Sequence, residues 1–192
     1  KRDGILGLIN PTTDYADLAG CDMVIEAVFE DRVIKADVTA KTEAVIAEDA
    51  IFASNTSTLP ITGLAEASGR PANFIGLHFF SPVDKMPLVE IIMGEKTGDV
   101  ALARAMDFVK RIRKTPVVVN DSRGFYTSRV FATYVAEGLA LLGEGVKPAL
   151  IENAGRMAGM PVGPLALADE VSLTLMQHVA TQTKADLGDK YQ

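Results

Sequence analysis

Met23-Val24-Ile25-Glu26-Ala27-Val28 is a short, largely apolar run that follows the turn-like Ala19-Gly20-Cys21-Asp22, and it reads as a buried strand. Residues 32–48 carry Val33, Ile34, Val38, Ala44, Val45 and Ile46 among charges, a helical rather than an alternating pattern. Ile51-Phe52-Ala53-Ser54 returns to a strand. This strand-helix-strand reading decides the fold class, because it repeats down the chain. Pro60 opens a short helix through Leu64 and Ala67, with Gly69 suited to its C-terminal end. Phe74–Phe80 and Leu88–Ile92 are two further strands. Residues 99–113 form a helix with Leu102, Met106, Val109 and Ile112 on one side, and Pro116–Val119 is a last strand. Strands alternating with helices predict an α/β unit whose parallel sheet is covered on both faces.

Past Gly124 the alternation stops. Residues 124–142 combine Phe125, Val130, Phe131, Tyr134, Val135, Leu139 and Leu142 in a strongly apolar helix; Pro148 opens another through Met157, and residues 164–187 give one or two more. The sequence therefore divides into an α/β unit at 1–119 and an all-helical unit at 120–192.

Composition narrows the function. Of 192 residues, 48% are hydrophobic and 23% charged, ordinary globular values that exclude intrinsic disorder. No apolar run reaches the ~18 to 20 residues of a membrane span. The one cysteine, Cys21, allows no internal disulfide. With 19 basic and 25 acidic residues the net charge of −6 argues against a broad nucleic-acid surface, though not against a local patch for an anionic small molecule. No metal site is expected. The opening Lys1-Arg2-Asp3 gives the expectation of a piece of a longer chain.

Ligands of an open parallel sheet bind beyond the carboxyl ends of its strands. That rule selects Val28-Phe29-Glu30, Ser54-Asn55-Thr56-Ser57 and His78, each a polar group directly after an apolar run. Glu90 returns beside His78 if the Ser81–Pro87 loop reverses the chain. A histidine with a neighbouring carboxylate can act as a general base, since the carboxylate holds the ring and stabilises its protonated form. A nearby serine could donate to a substrate oxygen. Spacing alone does not separate this set from a hydrolytic triad, from a structural histidine, or from a turn in which Ser54–Ser57 only caps a helix. His178 reads as a solvated helical residue, and Met157 and Met160 as packing residues. Phe125, Tyr126, Phe131 and Tyr134 read as core and interdomain packing.

Four motifs in order, Ile25-Glu26-Ala27-Val28-Phe29-Glu30, Ala53-Ser54-Asn55-Thr56-Ser57-Thr58, Gly76-Leu77-His78-Phe79-Phe80-Ser81-Pro82 and Met86-Pro87-Leu88-Val89-Glu90-Ile91-Ile92, resemble the L-3-hydroxyacyl-CoA dehydrogenase family. The resemblance runs through Gly163–Asp169. Gly124-Phe125-Tyr126-Thr127-Ser128-Arg129 is further similar to the multifunctional α-subunits of fatty-acid β-oxidation, which join this activity to an enoyl-CoA hydratase. The resemblance implies oxidation of a 3-hydroxyacyl-CoA to the ketone with hydride passing to NAD. It implies His78 as the base, Glu90 as its partner, and Ser57 as donor to the reacting oxygen. It also implies cofactor contacts at Val28, Phe29, Glu30, Lys35, Ser57 and Ser81. Ser128 stands where the family usually has Asn, and so does Ser81.

The family's Gly-x-Gly-x-x-Gly turn does not occur in these 192 residues. The expected fold is thus a partial Rossmann-like, doubly wound sheet lacking its first βαβ unit, followed by the helical domain. The 192-residue chain alone should then bind NAD poorly and show negligible activity. Expected partners are acyl-CoA and either a homo-oligomer or an internal second helical repeat, because the helices at 124–142 and 148–158 carry more apolar surface than one helical layer buries. A thiolase subunit is the implied partner in the full complex. The expected location is the bacterial cytoplasm, ahead of the mitochondrial matrix. A stand-alone 3-hydroxybutyryl-CoA dehydrogenase and a non-catalytic relative are the other readings. A hydrolase using Ser57 and His78 lacks the expected Gly-x-Ser-x-Gly elbow.

Overall fold

The computed structural model describes Arg2–Gly188 and divides at Phe125 into two compact units. The first holds a five-stranded sheet in the spatial order β1 (Met23–Glu26), β2 (Ile51–Ser54), β3 (Phe74–Phe79), β4 (Leu88–Met93), β5 (Thr115–Asn120). Its helices are α1 (Arg2–Leu6), α2 (Arg32–Glu43), α3 (Ile61–Leu64) and α4 (Asp99–Arg111).

The sheet is mixed rather than wholly parallel. β1, β2 and β3 are parallel, β4 runs antiparallel to β3, and β5 is parallel to β4. The reversal has a simple cause. Only residues 80–87 join β3 to β4, too few for the crossover of about a dozen residues that parallel neighbours require.

Alternation along each strand sorts the core into two layers. Ile51, Ala53, Ile75, Leu77, Val89 and Ile91 pack on Ala101, Ala105 and Val109 of α4. The fully buried residues of α4 are Ala101, Ala105 and Val109; of the expected face Val109 is buried, Leu102 and Met106 pack against the core, and Ile112 is exposed. On the opposite face Phe52, Phe74 and Ile92 pack on Leu59, Ile61, Leu64, Ala65 and Phe125. The rings of Phe52 and Phe74 stack at 5.3 Å. Gly76 is required here: a Cβ at that position would lie 2.7 Å from Ile61 Cγ1 and 2.8 Å from Ile92 Cβ.

Helix α2 also differs from the expected pattern. It ends at Glu43, and its buried side chains are Lys35, Thr39 and Thr42, while Val33 and Ile34 are exposed. Asp31 caps it, Oδ1 accepting from the Val33 and Ile34 amides at 2.8 and 3.0 Å, and this phase turns Lys35 inward.

The second unit is helical, with α5 (Thr127–Gly143), α6 (Pro148–Met157), α7 (Pro164–Val171) and α8 (Leu173–Leu187). α5 starts three residues later than expected because Phe125 takes a left-handed φ of 46° and packs into the first unit's core. Gly138 admits Pro164 of α7, whose Cβ and Cγ would lie 2.5 Å from an added methyl. Tyr134 donates to the Val162 carbonyl at 3.0 Å. Ser172, at φ 77°, separates α7 from α8. Tyr126, Leu150 and Leu173 are exposed, as are Met160 and, at 88%, Met157; the two methionines are therefore not packing residues. The side chain of His178 lies outside the described residues. Among the described residues no helix is long and apolar enough to cross a membrane.

Candidate active site

The strand register builds the site. His78 on β3 lies directly opposite Glu90 on β4, so the short reversal that makes the sheet mixed also brings these two side chains together. His78 Nδ1 is 2.7 Å from Glu90 Oε2. The histidine is 7% exposed and the glutamate fully buried. An ionised carboxylate only accepts hydrogen bonds, which assigns the ring hydrogen to Nδ1 and leaves the Nε2 lone pair as the basic atom. Phe80 and Phe125 flank the ring, with centroids at 4.4 and 6.2 Å. A buried imidazole held by a carboxylate between aromatic rings can take a proton from a ligand without losing its orientation.

One residue pair down β3, about 6 to 7 Å by strand rise, is a second polar layer. Glu26, Ser54 and Gly76 share one row across β1, β2 and β3. Glu26 Oε2 accepts from Ser54 Oγ at 2.7 Å, and Oε1 accepts from the Val28 amide at 2.6 Å. Lys35, 1% exposed, places Nζ 2.9 and 3.1 Å from the two Glu26 oxygens and 3.4 Å from Glu30 Oε2.

Glu30 in turn gathers the 56–58 turn. Its Oε1 accepts from Thr56 Oγ1 at 2.5 Å, from the Ser57 and Thr58 amides at 3.2 and 3.4 Å, and from Thr58 Oγ1 at 3.3 Å. Thr56 Oγ1 itself accepts from the Leu59 amide, and Asn55 Oδ1 accepts from the Phe79 amide. The Ser54–Ser57 segment is thus a turn as well as part of the candidate site. Ser57 is exposed at its tip.

Val28 and Phe29 are 38% and 70% exposed, an apolar surface at the carboxyl end of β1. Ser81 is exposed in the 80–87 loop, which Lys114 holds by donating to the Val83 and Met86 carbonyls at 2.5 and 2.6 Å. Ser128 lies in α5, in the second unit. Asp121 accepts from the Ile61 and Thr62 amides, fixing the start of α3. Burial first, and the like charge of Arg32 second, lower the pKa of the Arg123 guanidinium. Among the described residues no group of three or more His, Cys, Asp or Glu could hold a metal.

Sequence reasoning selected the Ser54–Ser57 segment but gave no site role to Glu26 or to the two rings, Phe80 and Phe125, that flank His78. Glu26 carries the same signal that singled out Glu90, an acidic residue inside an apolar strand.

Similarity to known proteins identifies the family. The NAD-binding domain of 3-hydroxyacyl-CoA dehydrogenase matches residues 1–122, and the C-terminal domain of the same family matches residues 124–192. A fatty acid oxidation complex subunit alpha from Shewanella halifaxensis is 44% identical over 99% of the chain, which spans 27% of that relative's length. The crystal structure of (S)-3-hydroxybutyryl-CoA dehydrogenase from Ralstonia eutropha superposes with a TM-score of 0.92 at 36% identity, over all of this chain and 69% of that one. FadB2 of M. tuberculosis gives a TM-score of 0.91 at 34% identity, over 96% of this chain and 66% of that one. On its motifs, its fold and both matched domains, the chain belongs to the 3-hydroxyacyl-CoA dehydrogenase family.

Proposed function

We propose that the protein carrying this chain oxidises the 3-hydroxyl of an (S)-3-hydroxyacyl-CoA to a ketone with NAD, as the dehydrogenase part of fatty-acid β-oxidation. The observation that carries the reading is the buried His78–Glu90 pair at the carboxyl end of the sheet, in a domain of the family's NAD-binding type. Nε2 of His78 takes the hydroxyl proton. Glu90 holds the ring through Nδ1 and offsets the charge of the imidazolium that forms. Ser57 donates to the reacting oxygen as it becomes a carbonyl, and Ser128 is the further hydroxyl assigned to the substrate side.

The residues present fit the nicotinamide side of NAD: apolar surface at Val28 and Phe29, hydroxyls at Ser57 and Ser81, and Glu30 and Lys35 beneath them. NAD, when bound, supplies the acceptor for the hydride leaving substrate C3. In this reading residues 1–119 serve the nucleotide and residues 120–192 the acyl-CoA. The protein works in a bacterial cytoplasm.

The exposed Leu150 and Met157 of α6 are covered in the whole assembly by a second helical repeat or another subunit, and a thiolase subunit completes the complex. A stand-alone (S)-3-hydroxybutyryl-CoA dehydrogenase is the second reading, favoured by the TM-score of 0.92 to the Ralstonia enzyme. The test is NADH formation from (S)-3-hydroxyacyl-CoA substrates of several chain lengths. Turnover of short and long chains supports the β-oxidation reading, turnover restricted to the four-carbon substrate supports the second, and no NADH from any of them contradicts both.

A further inference from the structure

The Glu26–Lys35 pair has no step in the proposed chemistry, yet it is the most deeply buried ion pair among the described residues. The ammonium of Lys35 faces three carboxylate oxygens, two of Glu26 and one of Glu30, at 2.9, 3.1 and 3.4 Å, and its side chain is 2% exposed. It is built to hold charge in place rather than to reach a ligand. Each neighbour of this pair is a fixed point for a turn. Glu26 holds the Val28 amide and Ser54, while Glu30 holds Thr56, Ser57 and Thr58. Lys35 joins the two carboxylates, and so joins the 28–30 turn to the 56–58 turn.

We infer that Glu26 is a positioning residue: by taking the charge of Lys35 it leaves Glu30 to hold the 56–58 turn, on which part of the nicotinamide surface is built. The inference rests on the cofactor surface assigned under Proposed function, and it gives Lys35 an indirect role there. The physical reason is competition for one buried cation. A buried ammonium demands a countercharge. With Glu26 present, that demand is met from β1, and Glu30 is left to accept the amides of Ser57 and Thr58. With Glu26 uncharged, Lys35 draws Glu30 wholly to itself, and the 56–58 turn loses its acceptor.

Two variants and two measurements on the intact enzyme test this. Glu26→Gln keeps an acceptor for the Val28 amide, places a donor toward the Ser54 hydroxyl, which can accept, and removes the charge. It should raise the KM for NAD about 10-fold or more, the effect of losing one contact to a charged group, with kcat and the KM for acyl-CoA within about 3-fold. Amide hydrogen exchange at Ser57 and Thr58 should quicken about 10-fold while Val89 and Ile91 in β4 stay protected.

Glu26→Gln with Lys35→Met removes both charges and leaves Glu30 with its own donors, so the KM for NAD should return to within about 3-fold of the parent. An unchanged KM and unchanged exchange in Glu26→Gln would overturn the inference. So would a double variant as impaired as the single one, which would mean that Lys35 touches NAD itself. If Glu26→Gln does not fold, the double variant, which buries no unpaired cation, decides by its KM: a parent-like value supports the inference and an impaired one overturns it. If the parent forms no NADH, the reading of function has failed, while hydrogen exchange still decides whether Glu26 fixes the turns.

Discussion

Two buried acid–base pairs stand one layer apart in the same sheet face, and they differ in kind. Glu90 and His78 join antiparallel strands, and the basic group is an imidazole whose second ring nitrogen is left for a ligand. Glu26 and Lys35 join β1 to the helix that follows it, and the lysine amine is enclosed by three carboxylate oxygens. In the proposed reaction the first pair takes and releases a proton, while the second has no proton to pass on and holds two turns in place. A buried ion pair is therefore not a sign of catalysis by itself. What separates the two is whether the cation keeps a second atom available for chemistry, as an imidazole does.

The largest effect should come from the pair that works. His78→Gln should lower kcat about 100-fold or more, as expected when a general base is lost, with the thermal unfolding midpoint nearly unchanged. NADH formation at close to the parent rate would remove His78 from the mechanism and erase the contrast between the pairs. Glu90→Gln keeps the shape of the hydrogen bond but not the charge. It should lower kcat about 10-fold or more and spare the affinity for NAD, measured by calorimetric titration. A variant impaired only in NAD binding would move Glu90 to the holding side of the comparison.

Much of this contrast was legible in the sequence, and the part that was not has a physical cause. The strands β2, β3 and β4 are apolar runs of ordinary length, and His78 and Glu90 stand out inside them. Their meeting depended on a reversal at residues 80–87, a segment too short for a helical crossover, so length alone could have replaced the expected parallel arrangement. The face of α2 was harder. Val33 and Ile34 invite burial, but Asp31 sets the helix phase and Lys35 finds its countercharges inside, so two apolar residues stay exposed. Two of the three fully buried residues of α4 are alanines, which a search for large apolar residues overlooks. The left-handed turns at Phe125 and Ser172 occur at residues other than glycine, and local propensity does not mark them.

Smaller effects sharpen the comparison by testing what separates the layers. Gly76 shares a row with Glu26 and Ser54 and lies two residues before His78, against Ile61 and Ile92. Gly76→Ala should destabilise the protein by about 1 to 3 kcal/mol through overpacking, read by urea denaturation. No loss of stability would mean that the floor between the two pairs is looser than the close contacts require. Asp31→Ala removes the cap that sets the phase of α2 and so directs Lys35. It should cost about 1 kcal/mol, a drop of about 2 to 4 °C in Tm for a domain of this size, and leave kcat within about 2-fold.

In the proposed reaction His78 and Glu90 act as one unit, the carboxylate serving only through the ring it holds. A double-mutant cycle on kcat tests it, comparing His78→Gln, Glu90→Gln and the two combined in the intact enzyme. If the claim holds, the combined variant is no slower than His78→Gln alone, because the charge of Glu90 has nothing left to stabilise once the imidazole is gone. A combined loss equal to the product of the two single losses would show that Glu90 and His78 act independently, and would contradict the account.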